Sequence, residues 1–84
     1  MTDHGIAGRV ALVTGGSRGI GRAISEQLAA AGARVGINYL SDHASAEATV
    51  AAIESSGGTA MSVAADVSRD ADVERLVEEV SEAL

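Results

Sequence analysis

Apolar residues along the chain follow two patterns, short compact runs and longer stretches with helical spacing. The compact runs cover residues 10–13, 34–39 and 61–65. The first of them contains only apolar residues and ends in Thr14, Gly15 and Gly16. A short, wholly apolar run bounded by a turn is typical of a strand buried on both faces in a parallel sheet. The pattern predicts three β-strands.

Between and after these runs, apolar residues recur every three or four positions, which predicts three amphipathic helices. The first begins at Ile20 and ends at Gly32. The second follows the candidate caps Ser41 and Asp42 and stops at a pair of glycines, and the third opens at Ser68. Small polar residues favour helix starts and glycine favours helix ends.

The predicted strands and helices alternate in the order βαβαβα with short connections. Such connections favour parallel pairing through right-handed crossovers, which predicts an α/β fold, the N-terminal half of a doubly wound Rossmann sheet with strand order 3-2-1. In that order the first strand has an open edge, which native proteins normally cover. We therefore predict that residues 1–84 form part of a dinucleotide-binding domain whose cover comes from elsewhere.

A glycine-rich segment, TGGSRGIG at residues 14–21, lies between the first predicted strand and the first predicted helix. Glycine lets a phosphate approach the backbone, and a helix N-terminus supplies N–H donors and a favourable dipole. The spacing is G-x-x-x-G-x-G, and the chain has no lysine, which excludes a nucleoside-triphosphate P-loop. The alternative is a tight turn whose glycines serve chain reversal alone.

This segment resembles the cofactor loop of the short-chain dehydrogenase/reductase family, through Thr14, Gly15, Gly19, Ile20 and Gly21. The similarity extends over essentially the whole chain. Its further motifs are GARV entering the second strand, GG before the third strand and DV closing it, at 32–35, 57–58 and 66–67. The resemblance implies an oxidoreductase that uses a nicotinamide dinucleotide.

The resemblance also implies which residues contact the cofactor. Those expected to hold the pyrophosphate and the nearby ribose are Gly15, Ser17, Gly19, Ile20 and Gly21. Asp66 would accept the adenine amino group, and Val67 would pack on the ring. A carboxylate at the carboxyl end of a parallel strand also lies where ligands enter such sheets. Alternatively, Asp66 caps the last helix, a role that Ser68 fills equally well.

The choice between NAD and NADP depends on the end of the second strand. The combination of Arg18 with Asn38 and Tyr39 resembles the residues found at these positions in NADPH-dependent 3-oxoacyl-[acyl carrier protein] reductases and related carbonyl reductases. NAD-dependent proteins place an acid there for the ribose 2′-OH, and Tyr39 occupies that position. Asp42 is an alternative acid, although its place after Ser41 suits helix initiation. Arg18 would pair with a 2′-phosphate unless it faces solvent, so NADP is predicted over NAD.

Composition excludes several functional classes. Six arginines against twelve acids give a net charge of −6, which argues against nucleic acid and anionic membranes as partners. The chain has no cysteine, and His4 and His43 alone cannot form a metal site. We expect both histidines to be exposed polar residues rather than catalytic bases. With no cationic leader and no apolar run of membrane length, we expect a cytoplasmic protein.

No catalytic residue is assigned in these 84 residues. Catalysis in the family resembles a Ser-Tyr-Lys relay with tyrosine and lysine four apart, whereas the one tyrosine, Tyr39, has His43 at that spacing. The family's Asn-Asn-Ala-Gly motif is also missing. The resemblance therefore implies the cofactor-binding portion of a longer reductase, inactive alone, with its carbonyl or acyl-thioester substrate bound by the absent part and a homo-oligomer at full length. The alternative is a stand-alone dinucleotide-binding or interaction module.

Overall fold

The computed structural model describes residues 7–15, 17 and 19–84 of the chain. Parallel strands alternate with helices in the predicted order, and the sheet order β1-β2-β3 confirms the expected 3-2-1 arrangement. The elements are β1 Val10–Thr14, α1 Gly19–Ala30, β2 Arg34–Tyr39, α2 His43–Ser55, β3 Thr59–Ala64 and α3 Asp70–Ala83. The main differences from expectation are that β3 spans Thr59–Ala64 rather than residues 61–65 and that α3 starts at Asp70 rather than at Ser68.

The register of the sheet aligns the carboxyl ends of the three strands. Thr14 lies beside Asn38, and Asn38 lies beside Val63. The loops that follow β1, β2 and β3 therefore leave from one edge of the sheet. Ligands bind open α/β sheets at this edge, so the fold brings the predicted site residues together where a cofactor would enter.

One face of the sheet is covered by α1 and α2 and holds the larger part of the core. Val35 and Ile37 of β2 are fully buried there, and Ile53 of α2 packs in the same cluster. The partly buried residues around this cluster are Ala11, Val13, Leu28, Ala29 and Val50. We call this side of the sheet the closed face.

The opposite side, which we call the open face, is covered by α3. Leu76 and Val80 of α3 pack in one cluster with Val63 of β3. Val80 also reaches β2 at Gly36, where a Cβ would lie 2.8 Å from both methyl carbons of Val80. Since real Cβ contacts are longer, the absence of a side chain at Gly36 is what lets α3 approach the second strand.

The described helices leave β1 uncovered on the open face. Val10 and Leu12 are 41% and 37% exposed, whereas Ala11 and Val13 on the closed face are partly buried. The expectation that this strand is buried on both faces is therefore wrong for the described part of the chain. The physical reason is that α3 packs over β3 and β2 and does not bury these two side chains.

The first two helices end at the predicted glycines. Ala33 N donates to Leu28 O at 3.1 Å across the Gly32 turn, and Gly58 N donates to Ile53 O at 2.9 Å across the Gly57 turn. These bonds satisfy carbonyl groups that the helix ends leave without a partner. Residues 7–15, 17 and 19–84 include no helix with the length and apolar character needed to cross a membrane.

Candidate cofactor site

The glycine-rich loop joins the end of β1 to the start of α1. Gly15 follows β1 directly and Gly19 begins α1. Their φ angles are +65° and +55°, in the left-handed region that residues with a Cβ adopt only with strain. A Cβ at either position would meet nothing within 4 Å. The loop therefore leaves open space before the N-terminus of α1, whose first N–H groups have no partner inside a helix and suit a phosphate.

Helix α2 holds the middle of this loop. The Thr49 hydroxyl lies 2.9 Å from the carbonyl oxygen of Ser17 and 2.9 Å from that of Ser45. Both Thr49 and Ser17 are buried. Thr49 was not among the predicted site residues, although a threonine three residues after Ala46 and four before Ile53 lies on the buried side of that helix. A hydroxyl at a core position requires a hydrogen-bond partner, and this requirement could have indicated that Thr49 bonds to a neighbouring segment.

The first turn of α1 presents Ile20 to solvent. Ile20 is 81% exposed, and the adjacent Gly21 has its carbonyl group bonded by the Ser25 hydroxyl at 2.8 Å. The Ile20 side chain is thus accessible beside the glycine-rich loop. Arg18, the predicted partner of a 2′-phosphate, lies outside the described residues.

Asn38 joins the ends of β2 and β3. Its side chain is buried, and its Nδ2 donates to the carbonyl oxygen of Ala65 at 3.0 Å. Ala65 N in turn donates to the carbonyl oxygen of Tyr39 at 2.9 Å. This pair of bonds fixes the backbone immediately before Asp66, so the position of Asn38 suits a residue that shapes the site.

Tyr39 ends β2 and bonds to the first residue of α2. Its hydroxyl is 2.7 Å from His43 Nδ1, and the two ring centroids are 5.6 Å apart. On its other side, His43 Nε2 is 3.0 Å from Glu47 Oε1. The His43 side chain is 62% exposed, as expected for a surface polar residue, but it has an acidic partner that the sequence analysis did not assign.

Asp42 caps α2. Its carboxylate accepts hydrogen bonds from Ser45 N at 3.1 Å and from the Ser45 hydroxyl at 2.8 Å. The helix-initiation interpretation of Asp42 is thereby confirmed. The carboxylate is thus engaged in starting α2 rather than standing at the end of β2, where Tyr39 lies.

Asp66 follows β3 and organises the turn into α3. Its Oδ1 accepts hydrogen bonds from the Ser68 hydroxyl at 2.6 Å and from Ser68 N at 3.0 Å. These bonds lower the pKa of Asp66 below its ordinary value, so the carboxylate is ionised at neutral pH. Neither residue caps α3, because Arg69 precedes the helix and makes no side-chain cap bond. Val67, next to this carboxylate, is 48% exposed and free to pack on a planar ring.

The described residues hold no cluster of three or more histidine, aspartate or glutamate side chains suited to a metal ion. The groups that the structure gathers at the carboxyl edge are the glycine loop, an exposed tyrosine–histidine pair and an ionised carboxylate beside an exposed valine. Backbone donors at one side and a carboxylate acceptor at the other match the needs of a dinucleotide, namely a pyrophosphate and an adenine amino group.

Comparison with known proteins supports this interpretation. The sequence model of the short chain dehydrogenase family matches residues 9–84. The chain belongs to the short-chain dehydrogenase family. One relative is the short-chain dehydrogenase/reductase homolog YusS of Bacillus subtilis, which is 43% identical over 75 residues, covering 89% of this chain and 69% of the relative. Another is a 3-oxoacyl-[acyl-carrier-protein] reductase of Synechocystis sp., 44% identical over 72 residues.

The second relative shows how much of a longer short-chain dehydrogenase the chain represents. The match covers 86% of this chain but 29% of the Synechocystis reductase. Among solved structures, a short chain dehydrogenase from Burkholderia cenocepacia J2315 in complex with NADP superposes with a TM-score of 0.88 and 47% identity. That superposition covers 93% of this chain and 32% of the other. The chain thus corresponds to less than a third of these two family members.

Proposed function

We propose that this chain is the cofactor-binding portion of an NADP-dependent short-chain oxidoreductase that reduces a carbonyl or 3-oxoacyl substrate. The observation that carries the proposal is the glycine loop, whose left-handed Gly15 and Gly19 leave open space before α1. The Burkholderia relative bound to NADP and the Synechocystis 3-oxoacyl reductase support the cofactor and the substrate class. The family resemblance further favours a cytoplasmic homo-oligomer for the complete protein.

Each part of the site has a role in this proposal. The loop and the first turn of α1 would hold the pyrophosphate and nearby ribose through Gly15, Ser17, Gly19, Ile20 and Gly21. Asp66 would accept the adenine amino group while Val67 packs on the ring, and Asn38 would keep the turn before Asp66 in place. Arg18 and Tyr39 would face the adenosine ribose and its 2′-phosphate. NADPH would supply the hydride when bound, and these residues would bind and orient it.

The 84 residues alone are expected to transfer no hydride. A carbonyl oxygen needs a proton donor as hydride arrives, and the chain has neither a lysine nor a tyrosine–lysine pair of the family type. The test mixes the isolated chain with NADPH and an acetoacetyl thioester and follows nicotinamide absorbance. Turnover that disappears in an Arg18→Ala variant, with contaminating enzymes excluded, would show that these residues carry the reaction.

Cofactor preference can be tested at Tyr39. A carboxylate at the end of β2 repels a 2′-phosphate and accepts a hydrogen bond from a ribose 2′-OH, so Tyr39→Asp should shift preference from NADP toward NAD by roughly tenfold or more. Leu40→Asp adds the same charge one residue later, at a side chain that is 69% exposed, and serves as the matched control. Calorimetric titration of NADP and NAD against all three proteins gives the affinities. Equal affinities in the parent would contradict NADP preference.

One observation favours the second candidate, a stand-alone dinucleotide-binding or interaction module. The chain covers 69% of the YusS homolog, so one relative is not much longer than the chain itself. Measurements on the protein encoded by the complete reading frame distinguish the two candidates. An NADPH-dependent carbonyl reductase activity supports the first, whereas NADP binding by a monomer without such activity supports the second.

A further inference from the structure

Two side chains of α3 reach back to the end of β3 and hold the backbone around Asp66. Asp72 Oδ2 accepts a hydrogen bond from Asp66 N at 2.8 Å, and Arg75 Nη2 donates to the carbonyl oxygen of Ala64 at 2.7 Å. Because Asp72 and Arg75 are three residues apart, they lie on the same side of the helix. The turn that carries Asp66 is therefore tied to the helix that follows it.

Ala65, between these two bonds, is held from the other side by β2. Its N–H donates to the carbonyl oxygen of Tyr39 at 2.9 Å, and its own carbonyl oxygen accepts from Asn38 Nδ2 at 3.0 Å. Each of the residues 64–66 thus has a backbone group bonded to a neighbouring element. A side chain leaves the backbone in a direction that the backbone sets, so these bonds determine where the Asp66 carboxylate lies.

The Asp66 carboxylate has one oxygen engaged and one oxygen open to a ligand. Oδ1 accepts both hydrogen bonds from Ser68, and none of the described residues donates to Oδ2. The bonds from Ser68 fix the rotation of the carboxylate, and the bond from Asp66 N to Asp72 fixes the backbone below it. Oδ2 is thus a held acceptor, which is the group that an amino donor requires.

A simpler role for Asp72 is to stabilise the start of α3. Acids in the first turn of a helix interact favourably with its dipole, and both Asp70 and Asp72 lie there. The two acids differ in their contacts. Asp70 is exposed and forms no side-chain hydrogen bond with a described residue, whereas Asp72 is half-buried and bonds to Asp66 N. The dipole needs no such contact, so it does not account for the bond that Asp72 makes.

We propose that Asp72 is a positioning residue for base recognition, which holds the backbone of Asp66 so that Asp66 Oδ2 meets the amino group of adenine. This inference rests on the proposed function, which places that amino group at Asp66. Asp72 itself does not touch the cofactor and acts through the N–H that it binds. Its loss should weaken the discrimination between bases with and without an amino group.

The experiment compares NADP with its analogue that carries hypoxanthine in place of adenine. Hypoxanthine has a carbonyl oxygen where adenine has the amino group, and a carboxylate cannot accept a hydrogen bond from it. Calorimetry on the protein encoded by the complete reading frame gives the affinity for each ligand. Partial unfolding of a variant lowers both apparent affinities by the same factor, so their ratio reports the bond to the amino group alone.

The parent should bind NADP roughly tenfold or more tightly than the hypoxanthine analogue, as expected for one hydrogen bond to a charged group. Asp66→Asn should abolish this preference, because a carboxamide can accept from an amino group or donate to a carbonyl oxygen. Asp72→Ala should reduce the preference by roughly threefold or more, because a displaced acceptor forms a weaker bond.

Two further variants separate the bond of Asp72 from its charge. Asp72→Asn should keep most of the parent's preference, because its carboxamide oxygen still accepts from Asp66 N. Asp70→Ala removes an acid from the same turn without removing a bond to Asp66, and is the matched control, expected to keep the parent's ratio. An equal reduction in Asp70→Ala and Asp72→Ala would show that the helix dipole, and not the bond, is responsible.

The outcomes distinguish this inference from the proposed function. If Asp66→Asn loses the preference while Asp72→Ala keeps it, or weakens both ligands equally, the positioning role of Asp72 is wrong and the proposed function stands. If the parent itself shows no preference for NADP over the analogue, the adenine site at Asp66 fails, and the role of Asp72 fails with it. If neither ligand binds, the proposed function itself is wrong.

Discussion

The two faces of the sheet differ in how much of their core the described chain supplies. On the closed face, α1 and α2 bury Val35 and Ile37 completely. On the open face, α3 covers β3 and reaches β2 at Gly36, but Val10 and Leu12 of β1 stay more than a third exposed. The comparison shows that the described helices bury the centre of the closed face, whereas on the open face they leave apolar side chains of β1 exposed.

The same difference divides the cofactor site. The glycine-rich loop is anchored from the closed face, where the Thr49 hydroxyl of α2 donates to the carbonyl oxygen of Ser17. Asp66 and Val67 lie on the turn into α3, which belongs to the open face. The proposed pyrophosphate end of the site therefore lies against the well-buried closed face, and the proposed adenine end lies on the face that the described residues cover only in part.

The largest expected effect is the behaviour of residues 1–84 expressed alone. A domain of this size buries only about 60% of its unfolded surface. In addition, β1 lies at the edge of the described sheet, and its Val10 and Leu12 side chains are exposed. We expect self-association, measured by light scattering. The double variant Val10→Lys with Leu12→Lys should reduce it, while Val77→Lys on exposed α3 surface should not. A stable monomer at high concentration with strongly protected amides at 10–14 would contradict the open-edge argument.

The next largest effect is the loss of stability when one large residue on each face is replaced by alanine in the protein encoded by the complete reading frame. Ile37→Ala should lower the free energy of unfolding by about 2–5 kcal/mol, because it opens a cavity in the closed core. Leu12→Ala should cost a similar amount if the remainder of the enzyme covers the open face, as we propose. Chemical denaturation measures both values. A loss below about 1 kcal/mol for Leu12→Ala would mean that the open face stays in solvent.

A smaller effect tests the contact that joins α3 to β2. Gly36→Ala places a Cβ 2.8 Å from the methyl carbons of Val80 and should cost about 1–3 kcal/mol through overpacking. Val80→Ala removes those methyl groups, so the double variant should be more stable than the sum of the two single losses predicts. Strictly additive losses in denaturation experiments would show that the two residues do not meet.

The smallest expected effect depends on pH. Because hydrogen bonds from Ser68 lower the pKa of Asp66, folding gains stability from this group above the ordinary carboxyl pKa of about 3.9 and loses it as pH falls through the lowered value. Asp66→Asn should therefore reduce stability at pH 7 and should cost progressively less at an acidic pH below the ordinary carboxyl pKa. Glu78→Gln, at an exposed site on α3, is the control. An equal loss for Asp66→Asn at both pH values would contradict the role of its charge.

The element order, the parallel topology and the position of the glycine-rich loop could all be predicted from the sequence. Hydrophobic periodicity and glycine placement are local signals, and together they suffice to place the loop between residues 14 and 21. The exposure of Val10 and Leu12 could not be predicted in the same way, because an apolar run indicates what a strand can bury and not whether a covering element is present. The strand and its burial are therefore separate inferences.

Two features of the site depended on three-dimensional geometry. Thr49 reaches Ser17 across 32 positions of the chain, a contact that no local pattern indicates. Tyr39, His43 and Glu47 have a regular spacing of four, but their contacts require Tyr39 at a strand end to face the first turn of the following helix. Local periodicity does not specify the angle at which a strand passes into a helix.

The central claim is that this chain holds NADP across the carboxyl edge of its sheet. Amide hydrogen exchange of the product of the complete reading frame, with and without NADP, tests it most directly. We predict slower exchange on NADP addition at residues 15–21 and 66–67, and no change at the turn 57–58 at the opposite edge of the sheet. Unchanged exchange at the loop while NADP is bound, or slowing that is equal at both edges, would contradict the claim.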